Sequence, residues 1–411
     1  MWKSTLDKLL HRLVVEGRLE VTWADGSVST YGRDSTAVAP AMVRLTDPAH
    51  YRALCLSPVM AFGEGYMDGQ VEVAPEGLYD LVALFTRNMH GRGRMPAWVR
   101  AMQDLRRRMN RFLQRNDPRR ARRNVAHHYD LSDDLYGLFL DADMQYSCAY
   151  FARPDMTLDE AQEAKKAHIA AKLRLEPGCR VLDIGCGWGG MALTLARDHG
   201  ARVTGVTLSQ NQVETARRRA EAAGLSDRVE FRLADYRKLD ESFDRIVSVG
   251  MLEHVGLPQY DTYFAKVHEL LAPDGVALIH TIGQVAPPRP TSDWLAKYIF
   301  PGGYVPSLSE LAPPIERSGL WATDIEVLRG HYARTLNHWR QRFEAALPQV
   351  RAMNGDRFIR MWRFYLVACE ATFAQARQGV FQFQLSHAQD AVPLTRDYLY
   401  SKAPARQHAA Q

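Results

Sequence analysis

In this 411-residue chain, the stretch best equipped to hold a reactive ligand is RVLDIGCGWGG, Arg180 to Gly190. Val181, Leu182 and Ile184 read as a short buried strand; Gly185, Gly187, Gly189 and Gly190 follow, and MALTLARDHG continues as a helix. Glycine permits a sharp turn and lets a ligand approach where a Cβ would intrude. The spacing carries neither the GxGxxG dinucleotide fingerprint nor the lysine of a phosphate-binding loop, so a pyrophosphate is not the implied ligand. Asp183 adds a carboxylate beside the turn, which suits a cationic or amino-bearing ligand.

The elements around this turn alternate. RVLDIG, ARVTGVTL, RVEFRLA, FDRIVSVG and GVALIHTIG read as five strands, separated by helical stretches near 190–199, 209–223 and 258–271. That order predicts an α/β fold with a doubly wound, mainly parallel sheet, whose ligands sit at the carboxyl ends of the strands. The residues placed there are Gly185 to Gly189, Thr207 to Gln212, Asp235 and Tyr236, Met251 to His254, and His280 to Ile282. Residues 284–318, rich in proline and aromatics, interrupt the alternation where a lid or substrate wall would sit. WATDIEVLRG and FQFQLSH read as last strands, flanking helices at 334–347 and 357–378.

The chain divides into a small α+β domain (1–95), a basic amphipathic linker helix (96–123) and the alternating domain (124–400). In the first part, LEVTWADGSVSTYG reads as a hairpin turning at Asp25-Gly26, and GLYDLVALFTRN as a helix. FGEGYMDGQVEV reads as a loop punctuated by Gly63, Gly65 and Gly69. The net charge of +5 is uneven: residues 1–125 carry 20 Lys and Arg against 13 Asp and Glu, and the remainder 32 against 34. Within 96–115, Trp98, Met102, Leu105, Met109 and Phe112 line one helical face, with arginines on the rest. Such a helix suits an anionic membrane surface or a seat between two domains. Nucleic acid is not expected, because no binding motif accompanies the arginines. The five cysteines form no CxxC or Cys/His spacing, which argues for reduced thiols without structural metal. No apolar run reaches membrane-spanning length and no signal peptide is evident, so a cytoplasmic protein is expected, attached peripherally to the inner face of the membrane.

The glycine turn resembles the first motif of class I, Rossmann-like methyltransferases that use S-adenosylmethionine. HHYDLSDDLYGLFLDADMQYSCAYF, VLDIGCGWGG, TLSQNQ, SVGMLEHVG, IHTIG, KYIFPGG and HYARTLNHW, in this order, resemble the cyclopropane-fatty-acyl-phospholipid synthases and the related mycolic acid cyclopropane synthases over about residues 120–390. GEGYMDG resembles the extra N-terminal domain of the phospholipid-acting branch. The resemblance implies methylene transfer from S-adenosylmethionine to the cis double bond of an acyl chain in a membrane phospholipid, with bound bicarbonate as the base. A homodimer is implied only by analogy with dimeric relatives.

The same resemblance assigns roles. Bicarbonate ligands map onto Cys148, Glu253, His280, Ile282 and Tyr332, and Cys369 matches a further cysteine once suspected as nucleophile. Cofactor contacts map onto Tyr146, Ser147, Leu182, Asp183, Gly185, Gly187, Gly189, Thr207, Leu208, Gln212, Asp235 and Tyr236. Taken singly, several have plainer readings: Cys148 and Cys369 as buried packing, His280 as a core histidine, Glu253 as a helix cap. The chemistry is coherent as a set. An alkene is a poor nucleophile and must meet the sulfonium methyl in a dry site; aromatic faces then stabilise the cation, and a base removes a proton so that the ring closes. Two rival readings remain: a sister methyltransferase giving methyl-branched or methylated unsaturated chains, and a non-catalytic lipid-binding protein.

Overall fold

The computed structural model describes residues 1–33, 40–90 and 132–400, so the basic 96–115 stretch lies outside the described residues. After α1 (Trp2–Leu13), β1 (Gly17–Thr22) and β2 (Val28–Arg33) form the expected antiparallel hairpin, with Gly26 at φ 80 in its turn. β3 (Ala41–Leu45) pairs parallel to β1, and β4 (Val71–Glu72) antiparallel to β3, giving the order β2-β1-β3-β4. Leu19, Val21, Val43 and Leu45 alternate inward and are buried beneath α1 and α4 (Leu78–His90). Between β3 and β4 lie α2 (His50–Leu56) and α3 (Pro58–Asp68).

Helix α3 corrects the sequence reading of a glycine-punctuated loop. Pro58 starts it, and only Gly69, left-handed at φ 82, ends it. Gly63 and Gly65 sit inside the helix because neighbours press on them: a Cβ at Gly63 would stand 2.4 Å from Trp294 Nε1, and one at Gly65 2.5 Å from His50 Nε2. Close packing outweighs the weak helix propensity of glycine here.

Two helices precede the main sheet, α5 (Asp133–Gly137) and α6 (Leu158–Leu173), the latter opened by a Thr157/Glu160 capping box. Then follow β5 (Arg180–Ile184), α7 (Gly190–His199), β6 (Arg202–Thr207), α8 (Gln210–Ala222), β7 (Val229–Leu233), β8 (Phe243–Val249), α9 (Tyr260–Leu270) and β9 (Leu271–Gln284). The chain closes with α10 (Asp293–Tyr298), α11 (Leu308–Ser318), β10 (Trp321–Leu328), α12 (His331–Ala345), α13 (Leu347–Gln375, broken at Gly355) and β11 (Gln378–Ser386). The sheet has seven strands in the order β10-β11-β9-β8-β5-β6-β7; β5 to β9 are parallel and β11 runs against both its neighbours. Side chains alternate between the faces: Val181 and Val203 pack toward α6, α7 and α8, while Leu182 and Ile184 pack toward α9 and α11. The winding reverses between β5 and β8, which places a crevice at their carboxyl ends.

Candidate functional site

That crevice is a cavity of about 160 Å³. Four walls come from the strand ends: Asp183 to Trp188 after β5, Thr207, Leu208 and Gln212 after β6, Asp235 to Arg237 after β7, and Gly250, Met251, His254 and Val255 after β8. A fifth is the segment Met144 to Ser147. Of the expected cofactor residues, Tyr146, Ser147, Asp183, Gly185, Gly187, Thr207, Leu208, Gln212, Asp235 and Tyr236 all line it. Leu182 and Gly189 do not. Leu182 is fully buried in the sheet core, facing α9, and Gly189 starts α7, where a Cβ would stand 2.6 Å from Phe231. Both pack against neighbouring elements.

The walls are held by polar contacts. Thr207 Oγ1 donates to Gln212 Oε1 at 2.7 Å, and Ser209 caps α8. Burial alone would raise the Asp235 carboxyl, but the Arg237 guanidinium, 2.6 Å away, outweighs it and holds the group below the usual range. Gly187, at φ 54, has nothing within 4 Å of the position its Cβ would take. The space there is cavity. Asp183 is 2% exposed, and its Oδ2 has no hydrogen-bond partner among the described residues. Burial pushes its carboxyl up to about 7, with Lys165 pulling the other way. An orphaned buried carboxyl oxygen and an open glycine cradle fit a ligand that brings its own positive charge.

Lys165 is a residue the sequence did not single out. It is fully buried on α6 and donates to Gln145 Oε1 at 2.6 Å and Ser147 Oγ at 2.8 Å, fixing the 144–147 wall. Burial pulls this ammonium down to about 8. Helix α6 shows no apolar stripe, so nothing in LDEAQEAKKAHIAAKL distinguishes Lys165 from its neighbours.

A second group gathers around the end of β9. Cys148 is fully buried against Leu328 and Val380, with Ile282 and Tyr332 packed on the same cluster. Burial pushes its thiol up to about 12, so it is no nucleophile at neutral pH. Glu253, on the short turn after β8, caps no helix; its Oε1 accepts the Ile282 N–H at 2.6 Å, and its buried Oε2 has no partner among the described residues. Burial raises this carboxyl to about 7, against the pull of the Ile282 amide. The Ile282 amide, part of the backbone expected to contact the base, is engaged by Glu253. His280 precedes Ile282 on the same face of β9 and is pushed down to about 3 by burial, so it is neutral. Gln382, its register partner on β11, places Nε2 3.1 Å from His280 Nδ1, an arrangement that leaves the ring proton on Nε2.

Tyr332 stacks on Phe373 at 4.6 Å and meets Trp339 edge-on at 5.9 Å; Tyr146 stacks on Trp339 at 5.2 Å and its hydroxyl lies 2.7 Å from that of Tyr365. This aromatic wall joins the two groups. Cys369, half-buried one turn beyond Tyr365, has its thiol pushed up to about 12 by burial, which agrees with a packing role. Among the described residues no cluster of His, Cys, Asp or Glu could hold a metal, all five cysteines are free, and no helix is long and apolar enough to cross a membrane.

A family profile described as mycolic acid cyclopropane synthetase matches residues 116–383, and a domain of unknown function matches residues 5–91. The cyclopropane-fatty-acyl-phospholipid synthase of Escherichia coli K12 is 40% identical over 336 residues, 82% of this chain and 85% of that protein. A tuberculostearic acid methyltransferase of Mycobacterium tuberculosis is 35% identical over 400 residues, 92% of this chain and 90% of its own. Among solved structures, the mycolic acid cyclopropane synthase CmaA1 complexed with SAH and CTAB superposes with a TM-score of 0.61 at 37% identity, covering 64% of this chain and 97% of that one. The seven-stranded sheet is the class I methyltransferase fold.

Proposed function

This chain belongs to the mycolic acid cyclopropane synthetase family and is an S-adenosylmethionine-dependent methyltransferase, and we propose that it adds a methylene group across the cis double bond of an acyl chain in a membrane phospholipid, with bicarbonate as base. The observation that carries this reading is the buried Glu253 carboxyl, one oxygen tied to the Ile282 amide and the other unmatched, with neutral His280 two residues before Ile282 on β9. An anion that also bears a proton fits that pair: it can accept from His280 Nε2–H and share its proton with Glu253 Oε2.

When bound, S-adenosylmethionine supplies an electrophilic methyl group and bicarbonate a proton acceptor. The chain's own residues do the rest. Asp183 has an unmatched oxygen that would receive a positively charged group of the cofactor, and Lys165 keeps Ser147 and the 144–147 wall in place. Tyr146, Trp339, Tyr332 and Phe373 exclude water and present ring faces to the positive charge that develops on the acyl chain. Glu253, His280, Cys148 and the Tyr332 hydroxyl are the residues that would hold the base.

In this reading residues 1–95 form a lipid-facing domain, 96–123 a basic linker and 124–400 the catalytic domain, and the arginines of 96–115 attach the protein to the inner face of an anionic membrane. A second reading, methyl branching without ring closure, draws on the likeness to the tuberculostearic acid methyltransferase. The test uses purified protein, vesicles of cis-unsaturated phospholipid and carbonate-depleted buffer. Added bicarbonate should restore wild-type turnover, and Glu253→Gln should lower it roughly 100- to 10,000-fold with cofactor affinity unchanged. Wild-type turnover by the variant, with no response to bicarbonate in either protein, would overturn the proposed base.

A further inference from the structure

A second cavity, about 350 Å³ and larger than the first, lies between the N-terminal sheet and the catalytic part. Its lining is hydrocarbon: Leu10, Val43, Val82 and Phe85 from the N-terminal elements meet Leu295 of α10 and Phe364 of α13. Besides Ser292 at the start of α10, the polar liners are spent on neighbouring backbone. Thr86 Oγ1 donates to Val82 O at 2.8 Å and Thr372 Oγ1 to Ala368 O at 2.7 Å, so each hydroxyl is spent on its own helix, and His90 Nδ1 pairs with Thr86 O at 3.0 Å. Such a surface offers little with which to recognise a sugar, nucleotide or peptide backbone. Close-packed interiors leave few voids larger than a water molecule, and an apolar cavity of about 150 Å³ already stays dry and takes up hydrocarbon.

Helix α13 ties this cavity to the reaction site. Phe364, Ala368 and Thr372, four residues apart, share the face that lines the cavity. Tyr365, Cys369 and Phe373 share the next face, turned by about 100°, where Tyr365 meets Tyr146 and Phe373 stacks on Tyr332. One helix therefore walls both chambers. The solved cyclopropane synthase of mycolic acids matches only 64% of this chain, whereas the relative named for phospholipids matches 82%. A diacyl lipid differs from a single reacting chain in having a second hydrocarbon tail to shelter.

We infer that this cavity seats the non-reacting acyl chain of a diacyl phospholipid while the unsaturated chain enters the site beside α13. The inference rests on the phospholipid reading above. Its test begins with wild-type, full-length protein and vesicles of a phospholipid carrying one cis-unsaturated chain and one saturated chain with a terminal diazirine. After irradiation, mass spectrometry should find adducts on peptides of α1, α4 and the Ala368 region. Val82→Trp, which fills the cavity away from the catalytic residues, should reduce that labelling and raise KM for the diacyl lipid at least fivefold, with turnover of an unsaturated monoacyl phospholipid unchanged. Adducts confined to the Tyr332 and Cys148 side, or an unaltered preference between the two lipids in Val82→Trp, would overturn it. So would labelling that appears only after Trp98, Met102 and Leu105 are replaced by serine, which would make this chain's own segment the occupant. Turnover of neither lipid by the wild type would instead sink the phospholipid reading beneath it.

Discussion

Glu253 concentrates the chemistry of this protein in one group. Its carboxyl rises from an ordinary 4.5 to about 7 on folding because it is buried, so between those values the native chain holds a proton that the unfolded chain releases. This contribution to stability is full below about 4.5 and is lost as pH rises through about 7; the shift corresponds to on the order of 3 kcal/mol. Glu253→Gln removes the titration, so the stability of wild type relative to the variant should fall across that window in denaturant titrations, and parallel profiles would contradict the assignment. Asp183, raised for the same reason, titrates in both proteins and cancels from the difference. At Gly187, a valine meets a positive φ of 54 and projects into the cofactor cavity. Gly187→Val should weaken S-adenosylmethionine binding at least tenfold in calorimetric titration of the folded variant, and unchanged affinity would move the cofactor elsewhere. Asp183, Glu253 and His280 were legible in the sequence because each ends or follows a recognisable strand. Lys165 was not, since its value comes from Gln145 and Ser147, 20 and 18 residues away and reached only through the fold.

At the scale of elements, the strands of the main sheet were readable because each is a short apolar run bounded by glycine or polar residues, and their order alone sets the crevice between β5 and β8. Helix limits were less so. The stretch read as 357–378 is the second half of α13, which starts at Leu347 and breaks at Gly355, φ 77. Helix α3 departs from the loop reading because Gly63 answers to Trp294 and Phe364, more than 200 residues away in sequence, while Gly65 answers to His50 and Val71. That contact carries a prediction. A valine at Gly63 would force its Cβ to within 2.4 Å of Trp294 and 2.9 Å of Phe364, so Gly63→Val should cost roughly 1 to 3 kcal/mol through overpacking. Thermal unfolding reads this directly, and a melting profile equal to wild type would show that α3 is not held against α10 and α13.

For the molecule as a whole, one buried cluster runs from Leu19 and Trp23 of the N-terminal sheet through α13 to Trp339 beside the reaction site, so the N-terminal part is packed into the catalytic one. The basic stretch between them, outside the described residues, is the proposed membrane contact. Reversing Arg106, Arg107 and Arg108 to glutamate should remove about 1 kcal/mol or more of vesicle affinity per charge, in a salt-dependent way, when binding to anionic vesicles is measured by sedimentation. Equal wild-type binding to neutral and anionic vesicles would discard the electrostatic attachment. The central claim, methylene addition with ring closure, is tested most directly by mass spectrometry of lipids from cells expressing this protein, with fragmentation that separates ring from branch isomers. The account predicts unsaturated phospholipid chains heavier by one CH2 group as cyclopropane isomers, absent when Glu253 is replaced by glutamine. Methyl-branched or methylene-bearing chains in their place, or no mass gain at all, would contradict it.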